Sequence, residues 1–177
     1  MDKQASERII ETVESIAKHT LPRWNELPDL DIYMDQVLSL MSRYFDGYQS
    51  SDDKGLTSSM VNNYVKLGIM PAPKSKKYNR EHLAHLIIIC VLKTVMPIGQ
   101  IGQLISEKVG NDSSYEKLYD RFCDYYESSV SAITQSTERL AEKDCDCVDI
   151  IFSSALRAHA EQAVALGLMK LSPEEQL

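Results

Sequence analysis

The segment from residue 57 to residue 80 constrains the fold most, because it contains two helix starts separated by a helix stop. Thr57 and Asn79 suit N-cap positions, since their side chains can accept hydrogen bonds from the free N–H groups of a first helical turn. Gly68 suits a left-handed helix end, and two nearby prolines prevent the helix from resuming. We therefore predict a helix from Thr57, a turn after Gly68, a short β-type loop or wing over residues 74–78 and a new helix from Asn79.

The same region is basic within an acidic chain. Between Lys54 and Arg80 there are six Lys or Arg residues and no Asp or Glu, whereas the net charge of all 177 residues is −7. The rest of the chain therefore carries 13 basic and 26 acidic residues. Because clustered Lys and Arg bind phosphate backbones, this separation of charge indicates a nucleic-acid interface.

Apolar residues recur at helical spacing through most of the chain, and this period predicts a mainly helical, all-α fold. Besides the two helices above, we predict helices over residues 3–19, from the N-cap residue Asp29 to Gly47, and over 98–110, 113–143 and 148–168. Residues 48–55 and 172–177 are polar, and we expect an exposed loop and a frayed tail there.

Five short motifs resemble the winged helix-turn-helix DNA-binding domain of the MerR family of bacterial regulators. They are MVNNY at 60–64, GIMP at 68–71, KKYN at 76–79, HLAHL at 82–86 and MPIGQI at 96–101. The resemblance implies a helix-turn-helix followed by a wing and a further helix. It also implies a sequence-specific DNA-binding protein, a transcription regulator.

Two longer phrases, LPDLDIYMDQV from residue 27 and LTSSMVNNYVKLGIMPAPKSKKYNREHLAHLIII from residue 56, resemble a bacterial family of unknown function, domain of unknown function 1836. This second resemblance covers most of residues 27–109 and implies no function by itself. We divide the chain into an N-terminal helix and connector (1–28), a winged-helix domain (29–110), a C-terminal helical arm (111–172) and a tail (173–177).

In the DNA-binding interpretation, the helix after Thr57 enters the major groove, where Asn62 or Asn63 can make a bidentate contact with adenine. Serines at the helix start could hold a phosphate, and the lysines would supply salt-sensitive phosphate contacts. In the alternative interpretation the asparagines and lysines are solvated and the tyrosines pack in the core. The candidate DNA-binding residues are Ser58, Ser59, Asn62, Asn63, Tyr64, Lys66, Lys74, Lys76, Lys77, Tyr78 and Arg80.

We expect double-stranded DNA and a second copy of the chain as partners. One short recognition helix reads few base pairs, so a homodimer on symmetric half-sites is the usual solution, with the C-terminal helices forming a hairpin or dimerisation arm. A small-molecule effector, if the protein has one, is not identified by the sequence. An aromatic row in the arm either packs in a helix interface or lines a small-molecule pocket; its members are Tyr115, Tyr119, Phe122, Tyr125 and Tyr126. The alternative function is an all-helical protein- or ligand-binding module whose winged helix no longer binds DNA.

The motifs of phosphate-binding loops, serine hydrolases and zinc proteases are absent, so we predict neither an enzyme nor a cofactor. The pair Cys145 and Cys147 lacks the second ligand pair of a closed metal site, and we predict no metal. His82 and His85 are expected at the boundary of a buried helix. We expect a cytoplasmic protein with reduced thiols, because the N-terminus lacks the apolar core of a signal peptide. We expect no membrane partner, because the apolar run 83–92 is about half of a bilayer span.

Overall fold

A computed structural model describes residues 3–46, 55–111, 114–141 and 146–171. In that part of the chain, the fold consists of seven α-helices, one short 3-10 turn at Trp24–Glu26 and two short strands. The helices are α1 (Lys3–Ala17), α2 (Met34–Tyr44), α3 (Ser58–Lys66), α4 (Arg80–Leu92), α5 (Ile98–Asn111), α6 (Tyr115–Ala141) and α7 (Cys147–Leu168). The strands are β1 (Ile32–Tyr33) and β2 (Lys77–Tyr78). The all-α prediction is therefore confirmed.

The chain forms two compact units. One unit contains residues 21–125, and the other contains residues 1–20 together with residues 126–177. Helix α6 begins in the first unit and ends in the second. The predicted tail lies outside the described residues, as does the predicted loop 48–55 except for Gly55.

Helix α4 is the centre of the 21–125 unit. Its residues from His82 to Cys90 are all buried, and α2, α5 and β2 pack against it. A helix that is apolar on every side is stable only where it is covered on every side. Asn79 caps it as predicted: the Asn79 side-chain oxygen accepts from the His82 N–H at 3.2 Å, and the Asn79 N–H donates to His82 Nδ1 at 3.2 Å.

The prediction that Asp29 caps the second helix is wrong. Helix α2 begins after Tyr33, whose N–H donates to Oε1 of Gln36 at 2.9 Å. The preceding residues are extended because β1 pairs antiparallel with β2, with Ile32 opposite Tyr78. Asp29 instead forms an ion pair with Arg80, with 3.2 Å between Oδ1 of Asp29 and Nη2 of Arg80.

The second unit contains α1, most of α6 and α7. Nδ1 of His19, just after α1, lies 2.7 Å from the Tyr126 hydroxyl. Arg157 of α7 donates to the Ser136 hydroxyl of α6 at 2.8 Å, and Ile150 of α7 is buried. Most other apolar side chains of α7 are exposed. Among the described residues, no helix is both long enough and apolar enough to cross a bilayer.

Candidate nucleic-acid interface

Helix α3 is held at both ends by the residues that the sequence analysis identified. The Thr57 hydroxyl accepts from the Met60 N–H at 3.2 Å. At the other end Gly68 has a φ of +71°, and its N–H donates to the Val65 carbonyl at 3.0 Å, while the Ile69 N–H donates to the Tyr64 carbonyl at 2.9 Å. These paired bonds are those of a Schellman motif, which needs a left-handed residue at the glycine position.

The outer face of α3 is polar and lacks acidic groups. Val61 and Tyr64 face the core, with 0% and 6% exposure. The exposed side chains of the helix recur at the spacing of one helical face, and they are Ser58, Ser59, Asn62, Asn63 and Lys66. The structure therefore brings five of the predicted contact residues onto one accessible surface.

Residues 74–77 form a tight hairpin turn within the segment for which a β-type loop or wing was predicted. The Lys77 N–H donates to the Lys74 carbonyl at 2.9 Å, and the two residues also form an antiparallel bridge. Ser75 and Lys76 have φ values of 50° and 62°. Positive φ at both central residues is the signature of a type I′ turn. Lys74, Ser75 and Lys76 are exposed, so the turn presents two ammonium groups to solvent.

Three of the predicted contact residues are engaged within the fold. Tyr64 and Tyr78 are buried, and burial raises the pKa of Tyr78. The Tyr78 ring meets the His82 ring edge-on, with centroids 5.5 Å apart. Arg80 pairs with Asp29, and its guanidinium lies 5.7 Å from the centroid of the Trp24 ring. These side chains position α3, β2 and α4 rather than extend the exposed surface.

Lys77 is only partly exposed. It belongs to β2, and its ammonium lies 5.5 Å from the centroid of the Tyr33 ring on the paired strand. A cation at this distance from an aromatic face is weakly attracted to it. The freely presented part of the predicted set is thus the outer face of α3 together with Lys74 and Lys76.

The 21–125 unit also contains an open cleft of about 740 Å³, and Tyr115 of the aromatic row is among the residues that line it. We call it the His85 cleft. The end of α3, the turn after Gly68, the first turns of α4, helix α5 and the start of α6 enclose it. The rings of His85 and Tyr115 stack in its wall, with centroids 4.7 Å apart and an interplanar angle of 19°. His85 and Tyr115 are far apart in the sequence, so helical periodicity could not predict that their rings stack.

The described residues contain no group of three His, Cys, Asp or Glu side chains arranged to hold a metal ion. Cys145, one of the two cysteines considered as metal ligands, lies outside the described residues. Cys147 is exposed in the first turn of α7, which Asp146 caps by accepting from the Asp149 N–H at 2.9 Å.

Comparison with known proteins gives one family match. The family model described as "Domain of unknown function (DUF1836)" matches residues 22–122, more than half of the chain. The matched range includes α2 to α5, both strands and the first turns of α6. Neither the curated proteins nor the solved structures contain a match to this chain.

Proposed function

This chain belongs to the DUF1836 family, a domain family of unknown function, and we propose that it is a cytoplasmic, sequence-specific DNA-binding protein that regulates transcription as a homodimer. The observation that carries the proposal is the surface formed by the outer face of α3 and the hairpin at Lys74–Lys77. The exposed part of that surface contains three lysines, Lys66, Lys74 and Lys76, and the sequence from residue 57 to residue 80 includes no acidic residue.

The order of elements supports a MerR-like winged helix. Strand β1 leads directly into α2, α3 follows, and a β-hairpin returns to pair with β1 before α4 begins. In that arrangement α3 is the recognition helix and the hairpin is the wing. The short motifs that resemble the MerR family fall on these elements in the same order.

The chemistry of α3 suits base recognition. Asn62 and Asn63 are adjacent, exposed and near the middle of the helix, and an asparagine amide can pair with the N6 and N7 positions of adenine. The first turn of α3 contains no acidic side chain to compete with a phosphate at its positive end. Lys66, Lys74 and Lys76 would neutralise backbone phosphates beside the bases that are read.

Helix α7 supports a homodimer. Its apolar residues lie on all sides, yet six large ones are between 54% and 66% exposed: Val148, Ile151, Phe152, Leu156, Val164 and Leu168. Soluble monomers rarely expose an apolar surface of this extent. Val148, Ile151, Phe152 and Leu156 recur at helical spacing on one side of α7, and a second copy of the helix would cover that side, because a two-fold interface places the same patch on both partners.

The decisive experiment is selection of duplexes from a random pool with the full chain. We expect a palindromic consensus, since a two-fold dimer reads two equal half-sites. Affinity for the selected duplex should fall steeply with salt. If each protomer neutralises about four phosphates, the slope of log K against log salt is near −7 for the dimer, from roughly −0.9 per phosphate.

Charge reversal at the hairpin tests whether DNA binds this surface or responds only to the net charge of the protein. The double variant Lys74→Glu and Lys76→Glu should flatten the salt slope by about 3 to 4, because four contacts are lost per dimer. The control is Lys117→Glu, which reverses an exposed lysine on α6 and should leave the slope unchanged. Equal effects of the two changes, or no binding by the parent protein, would favour a protein- or ligand-binding module instead.

Asparagine substitutions test base reading separately. Asn62→Ala or Asn63→Ala should remove about 1 to 3 kcal/mol of discrimination at one base-pair position in each half-site, while the salt slope stays the same. If both variants retain the consensus of the parent protein, α3 does not read bases through these residues.

A further inference from the structure

The His85 cleft is large enough to hold a small molecule. Its volume of about 740 Å³ lies within the roughly 300 to 1,000 Å³ typical of such sites. Val65, Ile69 and Ile105 contribute apolar wall. Glu81, His85 and Tyr115 contribute polar groups, so the lining combines a hydrophobic surface with a few polar anchors.

The cleft carries negative charge. Glu81 is exposed at its edge and is the only charged side chain among the described residues that line it. His85 adds no positive charge at neutral pH, because burial lowers its pKa to about 4. Glu81 also lies near Tyr115, where its charge adds to burial of the hydroxyl in raising the pKa of Tyr115. An anionic ligand would therefore be repelled and a cationic one attracted.

The polar groups of the cleft include groups that can accept a hydrogen bond from a ligand. His85 Nδ1 lies 3.0 Å from the Glu81 backbone carbonyl, so this nitrogen carries the proton and donates. In the neutral ring, Nε2 is then an acceptor. The Tyr115 hydroxyl is buried in the wall and makes no hydrogen bond to the described residues, although buried polar groups usually have a partner.

We propose that the His85 cleft binds a small organic cation, a primary amine or guanidine on a short apolar chain, with Glu81 pairing with the positive group. The apolar chain lies against the wall formed by α3 and α5. Val65 and Gly68 line the cleft at the end of α3, so a bound cation touches the helix that carries the exposed asparagines. Binding itself does not depend on the DNA-binding proposal.

Calorimetric titration of the full chain with three probes of equal chain length tests the charge preference. The probes are n-hexylamine, hexan-1-ol and hexanoate. We expect hexylamine to bind about threefold more tightly than hexanol, since it adds a solvent-exposed ion pair with Glu81, and hexanoate to bind more weakly than hexanol. Absence of hexylamine binding, or equal affinity for the three probes, overturns the proposal.

Substitutions test the location. Glu81→Gln should weaken hexylamine binding about threefold and leave hexanol binding unchanged, because only the exposed charged contact is removed. The matched control is Glu116→Gln, an exposed residue of α6 outside the cleft lining, which should bind hexylamine as the parent does. Ser106→Phe should block both hexylamine and hexanol by filling the cleft from α5. Undiminished hexylamine binding by Glu81→Gln or Ser106→Phe contradicts the assignment.

Discussion

The backbone N–H of Lys77 donates to the carbonyl of Lys74 at 2.9 Å, and this bond closes a turn whose two central residues both have positive φ. Ser75 and Lys76 occupy those positions, although side chains with a Cβ disfavour the left-handed region. The backbone of this turn therefore lowers the stability of the fold, and the turn exposes the side chains of Lys74 and Lys76. Both consequences can be measured separately.

The first prediction concerns Lys76. Lys76→Gly should be about 1 kcal/mol more stable than Lys76→Ala, because glycine adopts a φ of 62° without a steric penalty. Both variants lose the same charge and should lose the same DNA affinity. Urea unfolding followed by fluorescence of Trp24, the single tryptophan, gives the stabilities. Equal stability of the two variants would show that the turn is not left-handed at this residue.

The second prediction concerns the end of α3. Gly68→Ala should destabilise the protein by about 1 to 2 kcal/mol, because alanine is strained at a φ of +71° even though no atom lies within 4 Å of an added Cβ. Gly99→Ala is the matched control. Its Cβ also meets open space, but Gly99 is helical, so the change should be neutral or should stabilise by about 0.5 kcal/mol. Similar losses at both positions would contradict the Schellman geometry.

The third prediction is a loss of stability in acid caused by His85. Its folded pKa of about 4 lies below the usual 6.5, so the folded protein binds fewer protons than the unfolded chain. The stabilisation is complete above pH 6.5 and is lost as the pH falls towards 4, by about 3 kcal/mol in total. His82, whose pKa burial also lowers, acts in the same direction.

The variant His85→Phe isolates this contribution. Phenylalanine can keep the stack against Tyr115 but cannot titrate, so the variant should lose about 3 kcal/mol less than the parent between pH 6.5 and pH 4. Urea unfolding at several pH values measures the difference. Parallel pH profiles for the two proteins would mean that His85 is not held neutral by burial.

The fourth prediction concerns the proposed homodimer. Phe152 and Leu156 are one helical turn apart on α7 and are 63% and 66% exposed. Replacing both with glutamate should halve the molecular mass measured by light scattering, because four buried carboxylates per dimer oppose association. Ser154→Glu adds an exposed carboxylate on another side of α7 and should remain dimeric. A parent protein that is monomeric at micromolar concentration would refute the proposed interface.

The residues that were predicted correctly form contacts with residues close to them in the sequence. Thr57 and Asn79 accept hydrogen bonds from residues three positions ahead, and the Gly68 turn is closed by bonds that span a few residues. The exposure of Asn62 and Asn63 follows from the helical period around the buried Val61 and Tyr64. Such features depend on local geometry, which neighbouring residues determine.

The sequence by itself thus determined the helices, the ends of α3, the cap of α4 and the acid-free segment that leads to the hairpin. The tertiary structure alone decided what joins remote residues: the pairing of β1 with β2 that displaced the cap from Asp29, the Asp29–Arg80 ion pair, and the stack of His85 on Tyr115. Asp is a residue type that commonly caps helices, so no local pattern shows that the residues after Asp29 form a strand before the helix begins. Long-range contacts of this kind depend on which surfaces the whole domain buries together, and that is settled only when the chain has folded.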